Sequence, residues 1–287
     1  MRIAFAGIHR GEEPCISVEN DKYRGSGMIF FTGCPLGCFD CQNRQISSPE
    51  TERYGRMVTT EELADICLVL QRSGAANINL VTGTHFIPSI AAGLRSAKVQ
   101  GLSIPIIWNT SSFESVSALR VIDDLIDIYL ADMKTLSPAV SSLVCGKAFY
   151  GSAATKAIEY MVERHPLVWD ADRLLQGVIL RHLVLPGHMG NTEAVLSWHK
   201  ERIGIEGILS LMVQYIPLDP ASNITRCVSQ DEYHQLLSLL ESMDIEDGYI
   251  QELGDEAPWI PDFTAGNPFP DLYCDPIWHW KYRFFEG

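Results

Sequence analysis

Gly33-Cys34-Pro35-Leu36-Gly37-Cys38-Phe39-Asp40-Cys41 is the stretch on which the reading of this chain turns. Its cysteines follow the spacing C-x3-C-x2-C. Immediately before them, Met28 to Gly33 (MIFFTG) reads as a short buried strand that delivers the chain into the loop. Thiols at this spacing, directly after a strand, can converge on one face of a cuboidal iron–sulfur cluster, whose usual ligands are thiolates. Zinc is the competing reading. Zinc sites usually show paired C-x2-C units or histidines at matching spacing, and no second unit of that kind is present. The cluster is the stronger reading. A four-iron cluster saturated by protein needs four ligands, and this loop offers Cys34, Cys38 and Cys41. One iron is then open to a small molecule carrying an amine and a carboxylate.

Outward from the loop, strand and helix alternate. Glu61 to Arg72 is the clearest helix, with Leu63, Ile66, Cys67 and Leu70 at helical spacing and a capping box of Thr59 with Glu62. Further strands are expected at Asn77 to Thr82, Ile104 to Trp108, Ile126 to Leu130, Gly177 to Leu185 and Ile208 to Val213. Helices are expected at Pro88 to Lys98, Phe113 to Ile122, Ser152 to Arg164, Thr192 to Arg202 and Gln230 to Ser242. This order implies right-handed crossovers and a mostly parallel sheet, an open or partial barrel rather than a closed eight-fold one. The stretch Ala257 to Gly287 is rich in Pro, Trp, Tyr and Phe, and is read first as a tail packing its aromatics over an opening of the barrel and second as a partner-docking surface.

The 287 residues are enough for a sizeable core, and 46% hydrophobic with 20% charged residues is ordinary for a globular enzyme. A net charge of −14 argues against nucleic acid or an anionic membrane surface as the main partner. No apolar run reaches the roughly 18 residues of a membrane span. The first residues lack the pattern of a secretory signal. A cytoplasmic location is therefore expected. The other cysteines among the eight, Cys15, Cys67, Cys145, Cys227 and Cys274, share no ligand spacing. They read as reduced, mostly buried thiols rather than a second cluster.

At these motifs the sequence resembles radical S-adenosylmethionine (SAM) proteins of the pyruvate formate-lyase activating enzyme-like group, more narrowly its uncharacterised activase-related branch. The resemblance is carried by EEPCIS (ending at Ser17), GSGMIFFTGC (Gly25 to Cys34), CQNRQIS (Cys41 to Ser47), NINLVTGTHF (Asn77 to Phe86), IIWNTSSFE (Ile106 to Glu114), IDIYLADMK (Ile126 to Lys134), ILRHLVLPG (Ile179 to Gly187) and LMVQYIP (Leu211 to Pro217). It implies an α/β fold, a partial (β/α)6 barrel over residues 1–256 with its core at about 25–250, and an aromatic-rich extension at 257–287. It implies a 4Fe-4S cluster on Cys34, Cys38 and Cys41, with SAM across the strand ends. Thr82, Gly83 and Thr84 match the turn near the methionyl amino group. Asn109, Thr110 and Ser111 match the carboxylate or ribose contacts, and Asp132 with Lys134 the family's Asp-x-Lys. Arg181 and Leu183 match positions near the carboxylate and adenine, and Gln214 and Tyr215 the adenosyl end.

Alternation along the strand lets only one of Arg181 and His182 face the lumen; Arg181 is taken as that residue and His182 as an outer, satisfied histidine. His85 is read as structural first and substrate-facing second. Two departures stand out. Asp40 occupies the position before the third cysteine that is often aromatic, and the turn at 82–84 lacks the family's acidic residue. The implied activity is reductive cleavage of SAM and hydrogen abstraction from a substrate, with no catalytic side chain assigned. That substrate is a glycine of a partner glycyl-radical enzyme or a small molecule or peptide. The implied reductant is of flavodoxin or ferredoxin type, and the implied setting anaerobic. An iron–sulfur electron carrier is the alternative of another class.

Overall fold

The computed structural model describes residues 1–48, 51–219, 222–254 and 260–285. The expected extension at 257–287 therefore lies partly outside the described residues. The strands are β1 (Arg2–His9), β2 (Ser26–Phe31), β3 (Arg56–Met57), β4 (Ile78–Val81), β5 (Ile106–Thr110), β6 (Ile128–Asp132), β7 (Val168–Asp170), β8 (Arg173–Leu183), β9 (Ile208–Met212), β10 (Tyr249–Ile250), β11 (Cys274–His279) and β12 (Arg283–Phe284). The helices are α1 (Arg44–Ser47), α2 (Thr60–Arg72), α3 (Ile87–Val99), α4 (Val116–Leu119), α5 (Pro138–Cys145), α6 (Tyr150–Arg164), α7 (Met189–Arg202) and α8 (Gln230–Ser242).

The sheet runs β10-β9-β8-β6-β5-β4-β2-β1-β11-β12 and is not closed. From β2 to β10 every neighbour along this path is parallel, as helical crossovers require. β1 and β11 complete the other side in antiparallel register. One face packs Leu80, Trp108, Tyr129 and Leu180 against Leu63, Leu94, Ile158 and Leu196 of the helices. The inner face divides in two. Phe5, Met28, Phe30 and Val81 meet Phe263 and Phe269 from the C-terminal segment, while Ile107, Ile128, Leu130 and Ile179 meet Cys15 and Ile16 from the β1–β2 loop.

The capping box at α2 forms as expected. Thr59 Oγ1 accepts from Glu62 N–H at 3.1 Å, and the Glu62 carboxylate accepts from Thr59 N–H at 2.8 Å. Elsewhere the structure corrects the expected boundaries. The third parallel strand starts at Ile106 rather than Ile104, because Pro105 has no N–H to give a ladder; Ile106 N–H goes instead to the Asp127 carboxylate at 2.7 Å. The helix expected over Phe113 to Ile122 shrinks to α4, a single turn capped by Ser115, whose hydroxyl accepts from Ala118 N–H at 3.1 Å. α5 was not anticipated, although Ser137 as cap, Pro138 at its start and left-handed Gly146 at its end are ordinary helix signals. β1 and β11 were also missed. β1 is buried on both faces and shows no alternation, and its partner β11 lies at the far end of the chain.

Candidate functional site

β2 ends at the inner mouth of the sheet, and the cysteine loop turns away from it there. Gly33 takes φ +85°, a conformation that favours glycine, and its N–H donates to Ile46 O at 2.7 Å. A Cβ at Gly33 would lie 3.1 Å from His85 Nε2, which itself donates to Thr32 O at 2.7 Å. His85 thus fixes the exit of β2, and burial lowers its pKa. Phe39 N–H docks the far side of the loop on Val144 O at 3.0 Å. Cys34, Cys38 and Cys41 are half-buried free thiols. They are close enough that Cys38 feels the charge of both others. Burial pushes the Cys38 thiol up to about 12 against the opposing pull of Lys134. A small cavity beside the loop is lined by Gly33, Cys34, Cys41, Asn43, Ser47 and Thr82. Among the described residues no three His, Cys, Asp or Glu side chains form a cage for a single metal ion.

Across the strand ends, parallel register brings Asn109, Asp132 and Arg181 onto adjacent strands and one face. Arg181 Nε donates to Asp132 Oδ1 at 2.9 Å and its Nη2 to Asn109 Oδ1 at 2.8 Å. Lys134 Nζ reaches Asp132 Oδ2 at 2.8 Å. Burial works against the Asp132 charge, yet Lys134 and Arg181 hold its carboxyl below the usual range. Tyr150 Oη fixes the corner. It accepts from Lys134 N–H at 3.1 Å and faces the carbonyls of Asp132 and Ser111 at 2.9 and 3.0 Å. His182 points the other way, into the helix layer. Its Nδ1 donates to Met133 O at 2.7 Å, and Thr192 Oγ1 lies 3.1 Å from its Nε2.

Other expected site residues do not join this cluster. Thr84 Oγ1 donates to Glu114 Oε1 at 2.6 Å, and Trp108 Nε1 donates to the same oxygen at 2.9 Å. Thr110 Oγ1 accepts from Ser112 N–H at 3.0 Å and also bonds Glu114. Thr82 adopts φ +60°. A Cβ at Gly83 would sit 2.6 Å from Ile90 Cδ1 and 2.9 Å from the Trp108 ring. That turn is thus built on close packing. Leu183 is half-buried against the main apolar core, and Gln214 follows β9.

Asp40 has a different task from a ring at that position. Its Oδ2 accepts from Tyr215 Oη and Ser222 Oγ, both at 2.5 Å, and its Oδ1 from the N–H groups of Leu218 and Asp219 at 2.9 and 3.0 Å. Arg44 Nη1 adds a bond to Leu218 O at 2.6 Å. One carboxylate between two cysteines therefore pins the segment after β9 onto the cysteine loop.

Sequence reasoning assigned no role to Glu12, Glu13, Glu114 or Tyr150. Adjacent glutamates at 12 and 13 were visible in a segment that carried the resemblance. That a loop before β2 returns beneath Arg181 is a tertiary fact.

The donor chemistry fits an iron–sulfur cluster and SAM. Three clustered thiols suit iron, and a cation–carboxylate–amide array suits a ligand bearing both an ammonium and a carboxylate. A four-iron cube is a larger object than one ion, so it does not need a single-ion cage. The family model of the radical SAM superfamily matches residues 28–188, more than half of the chain. This chain belongs to the radical SAM superfamily. Members of the superfamily use a 4Fe-4S cluster and SAM. Protein MJ0674 of Methanocaldococcus jannaschii, itself uncharacterized, is 26% identical over 247 residues, covering 83% of this chain and 67% of that protein. Radical SAM folds recur among solved structures. SuiB of Streptococcus suis bound to its precursor peptide SuiA superposes with TM-score 0.58 at 10% identity over 82% of this chain. A radical SAM methyltransferase from Sphaerobacter thermophilus superposes with TM-score 0.54 at 12% identity, covering 82% of this chain and 69% of that one. This radical SAM chain spans about half the length of SuiB.

Proposed function

We propose that this chain is a radical SAM enzyme of activating-enzyme type, with Cys34, Cys38 and Cys41 as cluster ligands and a glycine of a partner polypeptide as substrate. The observation that carries the radical SAM part is the juxtaposition of the cysteine loop at the end of β2 with the polar array on the ends of β5, β6 and β8. When bound, the cluster and SAM supply one-electron reductive cleavage to a 5′-deoxyadenosyl radical.

The chain's own residues do the rest. Lys134 and Arg181 offer cationic donors to a carboxylate, and Asp132 offers an acceptor to an ammonium. Tyr150 and Asn191 hold the backbone at Lys134, the latter by donating to Lys134 O at 3.0 Å. Asp40 holds Tyr215 and the following segment over the cysteine loop and so limits water there. SuiB, a neighbour in fold, was solved with a peptide, which supports a polypeptide substrate. In this reading a flavodoxin- or ferredoxin-type protein supplies the electron. Residues 1–256 act as the radical SAM unit, with the stretch from 257 as an extension packed on it.

A second reading, hydrogen abstraction from a small molecule, is favoured by Phe263 and Phe269. They fill the inner face beside β1 and β2 and so narrow what can enter.

The test is anaerobic reconstitution with iron and sulfide, reduction with dithionite and addition of SAM. Electron paramagnetic resonance and chromatography for 5′-deoxyadenosine are the readouts. The proposal expects a reduced four-iron signal that changes with SAM, and 5′-deoxyadenosine released. A cluster that forms and ignores SAM would overturn it in favour of an electron carrier.

A further inference from the structure

The loop between β1 and β2 folds back into the base of the sheet. A turn at Glu13, whose carbonyl accepts from the N–H groups of Ile16 and Ser17 at 2.9 and 3.0 Å, buries Cys15 and Ile16 against the inner face. This sends the two preceding side chains toward Arg181. Glu13 is only 9% exposed. Its Oε1 accepts from Ser210 Oγ at 3.1 Å, while its buried Oε2 has no hydrogen-bond partner among the described residues. Glu12 lies 3.8 Å from Arg181 Nη1 and 3.8 Å from His9 Nδ1, too far for a hydrogen bond to either. On the inner face of β4, fully buried Asn79 likewise leaves its Oδ1 without a donor.

Proteins ordinarily satisfy buried acceptors, and Glu13 Oε2 and Asn79 Oδ1 are both acceptors. Charge points the same way. Glu12, Glu13 and Asp132 carry three negative charges when ionised, against two positive charges on Arg181 and Lys134. A trapped water would supply hydrogen bonds and leave the charge uncompensated, whereas a cation supplies both. We infer that Glu12 and Glu13, beside Arg181 on the inner face, form a subsite for a cationic nitrogen, a protonated amine or guanidine, carried by the substrate. Burial raises the pKa of both carboxyls, and an arriving cation would work against that rise. The inference rests on the reading of the inner face as the reaction chamber.

Isothermal titration of the anaerobically reconstituted protein, with SAM present, tests it. The probes are pentylammonium for a free amine, Nα-acetyl-lysine N-methylamide for a peptide side chain, and pentanol as the neutral isostere. At least one cation should bind about tenfold or more tighter than pentanol. Glu12→Gln and Glu13→Gln, which remove charge at constant shape, should each erase about tenfold of that preference. Which cation prefers the site tells the free amine from the peptide side chain. Neither cation outbinding pentanol, or both variants binding like the wild type, overturns the subsite and leaves the carboxylates as braces for Arg181. If Glu13→Gln does not fold, Glu12→Gln decides, since Glu12 approaches Arg181 and His9 only to 3.8 Å. Release of 5′-deoxyadenosine without any amine probes the radical SAM reading separately, so the two failures are distinguishable.

Discussion

Cys38 enters the site as a protonated thiol, because burial holds its pKa at about 12. Loading iron must therefore displace a proton as well as gather three side chains. Cys34→Ala, Cys38→Ala and Cys41→Ala are each expected to abolish cluster assembly, seen as loss of iron and of the visible absorption after reconstitution. Full iron in any one of them would remove that ligand assignment. His182 makes a prediction about acid. Burial lowers its pKa from 6.5 to about 4. Between those values the unfolded chain binds a proton that the folded chain refuses, so stability is complete above about 6.5 and falls as pH drops toward 4. The loss from this residue is at most about 3 kcal/mol. Urea midpoints at pH 7 and pH 5 should differ less in His182→Gln than in the wild type. An unchanged difference would mean that His182 does not carry the acid sensitivity.

At the scale of elements, the junction of the cysteine loop with the segment after β9 is a carboxylate with four donors. Burial opposes the Asp40 charge, but Ser222, Tyr215 and the two backbone donors hold its pKa below the usual carboxylate range. Asp40→Ala strands two hydroxyls and two N–H groups, and is expected to cost about 2–4 kcal/mol. Amide exchange at Leu218 and Asp219 should quicken most, with Asp40→Asn in between. Exchange unchanged at both positions would show the clamp to be dispensable. α8 is tied down by similar means. Glu232 accepts from Gly187 N–H at 2.6 Å and pairs with Arg226 at 2.6 and 2.7 Å, and Arg226 above all brings its pKa to about 2. Capping boxes at α2 and α8 show how local signals set helix starts, while α4 shows a longer helix pattern reduced to one turn that starts at its Ser115 cap.

At the scale of the molecule, the C-terminal segment belongs to the sheet. β11 lies beside β1, and Asp275 on it accepts from Arg10 and Arg24 at 2.5 and 2.7 Å. Phe263 is fully buried, with its ring 5.4 Å from that of Phe30. Phe263→Ala should therefore lower global stability by about 3–5 kcal/mol within a single cooperative transition. A separate early transition in calorimetry would instead mean that the segment unfolds independently of the sheet.

The sequence by itself determined the cysteine loop, the alternation of strand and helix, and the order of polar residues at the strand ends. These are local or periodic signals: three thiols inside eight residues, an Asp-x-Lys, apolar positions every three to four residues along α2. The tertiary structure decided which of those residues meet. Asn109, Asp132 and Arg181 converge because β5, β6 and β8 are neighbours in register, whereas Thr84 and Thr110 turn to Glu114 in the layer behind. Asp40 became a clamp, and Glu12 with Glu13 reached Arg181, through contacts between residues 168–182 positions apart. Such contacts leave no periodic trace in the chain, because they depend on how loops return to a finished sheet.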